Sequence, residues 1–285
     1  MAVADTDRQL AWEKRHRPRA GIAALLSALG LAVYFVGQAR LLNNVPKSGL
    51  LESLTRIERP GSVGELSSLQ TPFFEYLDSR TPLLLAIGIG ALFGFVGLAW
   101  SVGFLGVATR ARMPNFRRAM IYVPIVGGVV TGVGMLLTQI GRIALADNFL
   151  AGDRTVVAAR GSESSLLVFG DLLVRLGSLV IAVGLILVAL NAMRAGLLTR
   201  FFGYMGVVAG ATLVLFPLPV VQVFWVAGLG VLLLGRWPGG DMPAWRSGRA
   251  EPWPTRVGAS PQPAPQPAAP GGRDPGARRK RKKRH

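Results

Sequence analysis

The stretch Phe201–Gly235, FFGYMGVVAGATLVLFPLPVVQVFWVAGLGVLLLG, runs for 35 residues without a charged side chain. As one straight helix it would be about 50 Å long at 1.5 Å per residue, against a bilayer hydrocarbon core of about 30 Å. Pro217 and Pro219 fall near its middle. Proline lacks a donor N–H and pushes its predecessor out of the helical region, so Pro217-Leu218-Pro219 reads as a turn. The stretch is therefore expected to hold two short spans, about Phe201–Phe216 and Val220–Gly235. Two spans rather than one put Arg200 and Arg236 on the same side of a membrane, and that choice fixes the parity of the whole chain.

Working outward, four more apolar runs precede it. Ala20–Ala39 is uncharged between Arg19 and Arg40. A cleaved signal peptide is the rival reading, but the run is long and no small-x-small cleavage pattern follows it. Thr81–Thr109 is uncharged and opens on Thr81-Pro82, a helix-start pattern with Thr as N-cap. Ala119–Gly141 is uncharged, and a fourth run extends from about Ser164 to Met193 with Asp171 and Arg175 inside it. The expected fold is thus all-α: a membrane bundle of six transmembrane helices over 20–235, an external loop region, a cytoplasmic N-terminal tail (1–19) and a Pro-rich, polybasic, disordered cytoplasmic tail (236–285).

Charge supports this count. The chain is 51% hydrophobic and 16% charged, well below the roughly 25% charged of soluble domains. It nevertheless carries a net charge of +17. Six spans place residues 1–19, 110–118, 194–200 and 236–285 on one side, with 23 basic and six acidic residues. Loops 40–80 and 142–163 on the other side are neutral in sum. All of the excess charge falls on one face, which the positive-inside rule makes cytoplasmic. The expected location is a bacterial plasma membrane, multi-pass, with both termini inside.

The polar inventory excludes much chemistry. There is no cysteine, and the two histidines, His16 and His285, lie in charged segments. Thiolate chemistry is excluded, and neither a histidine metal centre nor a Ser-His-Asp relay can be assembled in the bundle. No cofactor or metal is expected. No paired acids and no G-x-S-x-G elbow occur within the spans, so the chain reads as a non-enzyme.

Asp171 and Arg175 share a helix face at i,i+4 and form the candidate intramembrane polar site. They are either a site reached from outside or a mutually neutralising pair with Arg175 snorkelling. Arg142, which closes the third span, could approach Asp171. Gln139, Asn191 and Gln222 read as span-end or cross-helix hydrogen-bonding residues. A small transporter or channel using Asp171 and Arg175 is the alternative to a lipid-, ligand- or partner-binding protein. Transporters place polar groups near the midplane on broken helices, whereas these spans are centred on Gly, Ala, Val and Leu.

Membrane-surface contact is expected from Trp237 and from Arg278, Arg279, Lys280, Arg281, Lys282, Lys283 and Arg284. Tryptophan favours the interface, and the basic run attracts anionic inner-leaflet lipids. The run contains no aromatic residue on which bases could stack, which disfavours nucleic acid. Ten of the 19 prolines lie in 236–285, and 258–276 has almost no large apolar side chain with which to offset ordering entropy. In loop 40–80, Leu50, Leu51, Leu54 and Ile57 have helical spacing, with Glu52 and Arg56 at i,i+4, and Thr71-Pro72 opens a second short helix. The pair is read as interfacial helices or as a cap shaping a ligand entrance.

Small residues form four-spaced lines: Ala86, Gly90 and Gly94; Gly128 and Gly132; Gly206 and Gly210. They let helices approach closely, within the chain or, alternatively, across a homodimer. Residues 112–128 align on 194–210 without a gap, matching Arg112 with Arg194, Arg118 with Arg200, Tyr122 with Tyr204, Val126 with Val208 and Gly128 with Gly210. Such a parallel repeat has precedent in transporters, and shared topology with Gly-rich composition would produce the same match without common ancestry. Finally, Leu190-Asn191-Ala192-Met193-Arg194, Leu197–Gly203, Leu234–Gly240 and Glu251-Pro252-Trp253-Pro254 resemble a group of uncharacterised bacterial multi-pass membrane proteins. More distantly, spans four to six resemble a six-span bacterial family of unknown function. The resemblance covers the last third of the chain and implies no catalytic residues.

Overall fold

The computed structural model describes residues 3–46, 67–161, 164–215, 219–238 and 240–251. Nine helices occur among them: α1 (Val3–Asn43), α2 (Thr71–Ser79), α3 (Thr81–Arg112), α4 (Ala119–Ala151), α5 (Val156–Gly161), α6 (Ser165–Arg194), α7 (Arg200–Thr212), α8 (Pro219–Leu233) and α9 (Pro243–Ser247). The one β feature among the described residues is an isolated antiparallel bridge between Ser67 and Thr155. The expected helix at 50–57, the Pro217-Leu218 part of the turn and the tail beyond Glu251 lie outside the described residues.

Four helices, α1, α3, α4 and α6, have the length and apolar composition to cross a membrane. The expected count of six is corrected at α7 and α8. They contain 13 and 15 residues, about 20 and 23 Å of helix, short of an approximately 30 Å core. The cause is local. The uncharged run, about 52 Å as helix, falls short of two full passes, and α7 stops at Thr212, where the N–H groups of Leu213, Val214 and Leu215 fold back onto Gly210 and Ala211 carbonyls in a terminal turn.

Helix starts follow sequence chemistry with one adjustment. Ser164 and Thr199 cap α6 and α7 by accepting from Leu167 N and Phe202 N. Thr81 is not the cap expected of it; α3 begins at Thr81 itself, whose hydroxyl donates to Asp78 O at 2.9 Å, and Pro82 occupies the first turn. At the exit of α8, Gly235 adopts φ +71°. The N–H groups of Gly235 and Arg236 then close onto Leu232 O and Val231 O, a left-handed stop that favours glycine.

The long helices and the hairpin close a ring. In order around it, α1 packs on α3, α3 on α4, α4 on α6, α6 on α7, α7 on α8 and α8 back on α1, while α3 also reaches α6 across the middle. The α4–α6 pair is the most intimate. Pro124 meets Gly184, Gly127 meets Ile181, Thr131 meets Gly177, Gly134 meets Val174, Thr138 meets Gly170 and Gly141 meets Leu167. Each layer contains one glycine, alternating between the helices, in steps of three and four residues. This is the 3.5-residue seam of antiparallel helices crossing at a shallow angle. The two threonine hydroxyls donate within their own helix, to Gly127 O at 2.7 Å and Gly134 O at 2.9 Å, so the seam carries no unpaired hydroxyl.

The glycine lines read from the sequence are occupied inside the chain. Gly90 and Gly94 lie against Gly30 and Leu31 of α1, Gly128 and Gly132 against α3, and Gly206 and Gly210 against α6, with Trp225 of α8 also against Gly206. Of the aligned repeat positions, Tyr122 and Tyr204, Val126 and Val208, and Arg118 and Arg200 are exposed alike and Gly128 and Gly210 buried alike, whereas Arg112 is buried and Arg194 exposed.

The outside of the ring is as apolar as the inside. Ile22, Leu26 and Leu29 on α1, Phe93 and Trp100 on α3, Leu176 and Leu179 on α6, and Phe201 and Phe224 on the hairpin are all exposed. A helix bundle with apolar residues on both faces is stable in lipid rather than water.

Candidate functional site

Asp171 and Arg175 project from α6, away from the bundle interior. Arg175 Nε donates to Asp171 Oδ2 at 2.7 Å, and the side chains are 76% and 52% exposed, respectively. The Gly134–Val174 and Thr138–Gly170 layers place the pair beside the apolar part of α4. Charges inside a membrane usually face the bundle interior. This pair instead sits on the outer surface among exposed Leu172 and Leu176 and neutralises itself at i,i+4.

Arg142, half-buried on α4, comes within Coulombic range of Asp171 and of Tyr34 on α1. Its Nη1 donates to Gln139 Oε1 at 3.3 Å. Gln139 is buried, and its Nε2 has no partner among the described residues. Asn191 bonds within its own helix, to Leu187 O, while Gln222 links α8 to Thr212 of α7 at 3.4 Å. Only Gln222 of these makes the expected cross-helix bond.

The most developed polar constellation lies at the basic end, where sequence reading saw only loop charges. Arg112, at the end of α3, makes a bidentate ion pair with Glu13 of α1: Nη1 to Oε1 at 2.6 Å and Nη2 to Oε2 at 2.8 Å. Both side chains are at most 3% exposed. Arg112 Nε and Nη2 also donate to Ala244 O, at 3.0 and 2.8 Å, and Nη1 to Ala108 O at 2.9 Å. Gln9 Nε2 donates to Glu13 Oε1 at 2.9 Å. The planar guanidinium fork is therefore fully used, which is what a buried pair requires if its attraction is to offset desolvation.

Trp245 of α9 sits over this pair. The guanidinium carbons of Arg17 and Arg112 lie 4.6 and 5.2 Å from its ring centroid, Phe104 stacks on it, and its Nε1 donates to Leu197 O at 3.1 Å. Arg17 Nη2 donates to Asp241 Oδ1 at 2.6 Å and Leu232 O at 2.9 Å, and Glu251 N donates to Ala195 O at 3.3 Å. The segments 3–19, 110–112, 195–197 and 241–251 thus converge at one end of the bundle. Two expected tails change character. Residues 3–19 continue α1 as helix, and residues 240–251 dock on the bundle because Trp245, 6% exposed, buries a large ring there. The Pro243 start and Gly248 stop flanking Trp245 were the available sequence signal for α9.

Trp237 is half-buried and packs edge-on against Phe202 at 5.2 Å, so part of its ring belongs to the bundle. Arg278, Arg279, Lys280, Arg281, Lys282, Lys283 and Arg284 lie outside the described residues. Among the described residues no group of three or more His, Asp or Glu side chains could hold a metal ion. At the opposite end of the bundle, α2 packs on α4 through Phe74 stacked on Phe149 at 4.1 Å, and Tyr76 Oη donates to Leu41 O at 3.0 Å. Compared with known families, curated proteins and solved structures, the chain matches no family model, no curated protein and no solved structure.

Proposed function

We propose that the chain is a multi-pass, non-enzymatic integral membrane protein of a bacterial plasma membrane, in which the bundle binds lipid, a small ligand or a protein partner. Its basic end is cytoplasmic. In this reading α7 and α8 enter the bilayer from the basic face and return to it, so the even parity and the shared side of both termini hold whether the hairpin crosses a thinned bilayer or stops within it. The polybasic run at 278–284 then adds contact with anionic inner-leaflet lipids.

The observation that carries a binding role over conduction is the filled centre of the ring. Leu31, Phe95, Leu185 and Trp225, with the buried Gln222 beside them, close around a void of only about 10 Å³, roughly the space of one water molecule. Trp225 is completely buried there, stacked on Phe202 and donating from Nε1 to Phe202 O at 3.0 Å. A conduction path needs an open or continuously polar lining, and a single glutamine among apolar side chains around a closed void supplies neither.

The test is reconstitution of the full chain into liposomes with flux assays over a panel of ions and small solutes. The expected result is flux equal to protein-free liposomes. Protein-dependent flux lost in the Asp171→Leu/Arg175→Leu double variant, with that variant still folded, would establish the transporter alternative instead.

A further inference from the structure

A groove of about 510 Å³ opens on the outside of the bundle between α1, α3 and α4 at the basic end, within the size range of ligand sites. Its floor and walls are apolar: Val96, Ala99, Gly103 and Phe104 from α3, with Ile125 and Val129 from α4. Trp100 and Tyr122, both more than half exposed, flank it. Its upper part is cationic, lined by Arg19, Arg110 and Arg118 with His16 and Trp12, and no carboxylate lines it. Trp12 stacks on His16 and on Phe104, which holds this wall against α3. Arg110 Nη1 donates to Phe116 O at 2.8 Å, which fixes it at the mouth. Among the described residues neither Arg19 nor Arg118 forms an ion pair, and both are exposed.

The arrangement is graded along the membrane normal. Arg110 and Arg118 stand where α3 and α4 pass from charged to uncharged sequence. The Arg19 backbone stands about 12 Å deeper at 1.5 Å per residue, since Ser101 Oγ, nine residues before Arg110, donates to the neighbouring Ala20 O at 3.1 Å; helical side chains lean toward the N-terminus, which for α1 is the basic end. From Arg118 to Val129 is about 16 Å at 1.5 Å per residue, close to half of an approximately 30 Å core. The groove therefore offers Arg110 and Arg118 at headgroup level, Arg19 reaching toward them from below, and an apolar channel one leaflet deep. A peptide laid in it would find few partners for its backbone N–H and C=O groups. The basic run of this chain's own tail would meet like charge at the rim.

The geometry points to a binding site for a single anionic phospholipid of the inner leaflet, its phosphate held by Arg19, Arg110 and Arg118 and one acyl chain lying over Val96, Gly103 and Val129 between Trp100 and Tyr122. It rests on the membrane reading above and names the ligand class for it.

The experiment uses the full chain in nanodiscs of mixed phosphatidylglycerol and phosphatidylcholine, with co-isolated lipid counted by native mass spectrometry. A photoactivatable phosphatidylglycerol maps the contacts. The expected result is enrichment of phosphatidylglycerol, with crosslinks on α3 between Val96 and Gly103 and on α4 between Ile125 and Val129. Arg19→Gln/Arg110→Gln/Arg118→Gln should reduce the enrichment by at least about tenfold, given the typical contribution of each basic residue at an anionic surface. Arg15→Gln/Arg194→Gln/Arg236→Gln, which removes the same charge at the same end, should leave it unchanged. Should the triple variant fail to fold, Arg19→Gln/Arg118→Gln, both at exposed positions, and the crosslink map of the native chain decide the matter. Equal retention of phosphatidylcholine, crosslinks confined to other faces, displacement by inorganic phosphate, or a second copy crosslinked through Trp100 would each overturn the proposal. Failure of the membrane reading is separate, since it would show as a chain extracted from membranes by alkaline carbonate.

Discussion

Glu13 is the one acid in a run of basic residues, Lys14, Arg15, Arg17 and Arg19, and a count of charges treats it as a small correction to a positive tail. In the fold it is the counter-ion of Arg112, 99 residues away, and the pair is sealed by Ala244 O and the Trp245 ring. Breaking one partner of a buried pair leaves an uncompensated charge, at a cost of about 3–5 kcal/mol. Glu13→Gln should therefore lower thermal stability in detergent by an amount of that order. Glu13→Leu/Arg112→Met should recover most of the loss, because removing both charges removes the desolvation cost as well. A double variant as unstable as the single one would show that the pair stabilises through its hydrogen bonds to Ala244 rather than through charge balance. The Asp171–Arg175 pair is the opposite case. It was visible in the sequence because it interrupts an apolar run, yet it lies on the surface and ties no other element down.

The helices themselves were largely legible. Apolar runs located α1, α3, α4 and α6, whereas the cap expected at Thr81 falls one residue earlier, at Arg80, and the caps at Ser164 and Thr199 emerge only from the structure. What escaped was the use of the glycines. Four-spaced lines are easy to see, but the closest helix pair uses a seven-residue recurrence, Gly127, Gly134 and Gly141 against Gly170, Gly177 and Gly184. That recurrence was present in the sequence, although the partner and register were not, because any two glycine faces could in principle meet. A Cβ on Gly177 would lie 2.6 Å from Thr131 Oγ1 and 2.7 Å from its backbone nitrogen. Gly177→Ala should therefore push α6 off α4 and destabilise by about 1–3 kcal/mol. Gly106→Ala is the control, since its nearest neighbour, Ile121 Cγ1, is 3.4 Å away and alanine is the better helix former. Thermal denaturation of the two variants side by side checks this, and equal stability would mean the seam adjusts without strain. The α7–α8 hairpin marks the limit of hydropathy as a guide to elements, because a 35-residue apolar run does not fix where its helices stop.

At the scale of the whole molecule, sidedness and ring closure have different origins. The chain has no cysteine, so single cysteines report accessibility without background. Pro270→Cys should be labelled only after the membrane is opened, and Glu75→Cys, exposed on α2 at the other end, should be labelled from outside intact cells. Labelling of the 270 position from outside would reverse the proposed orientation, and labelling of both from one side would break the even parity. The sequence by itself determined that the protein is helical and apolar, and that its excess positive charge lies in segments of one parity. Hydropathy and charge accumulate residue by residue along a chain and need no knowledge of neighbours in space. Only the tertiary structure decided that α8 closes the ring onto α1, that Glu13 neutralises Arg112, and that residues 240–251 dock on the bundle rather than trail from it. Those outcomes depend on which side chains fit together across long separations in sequence, and packing and desolvation, unlike hydropathy, are properties of pairs.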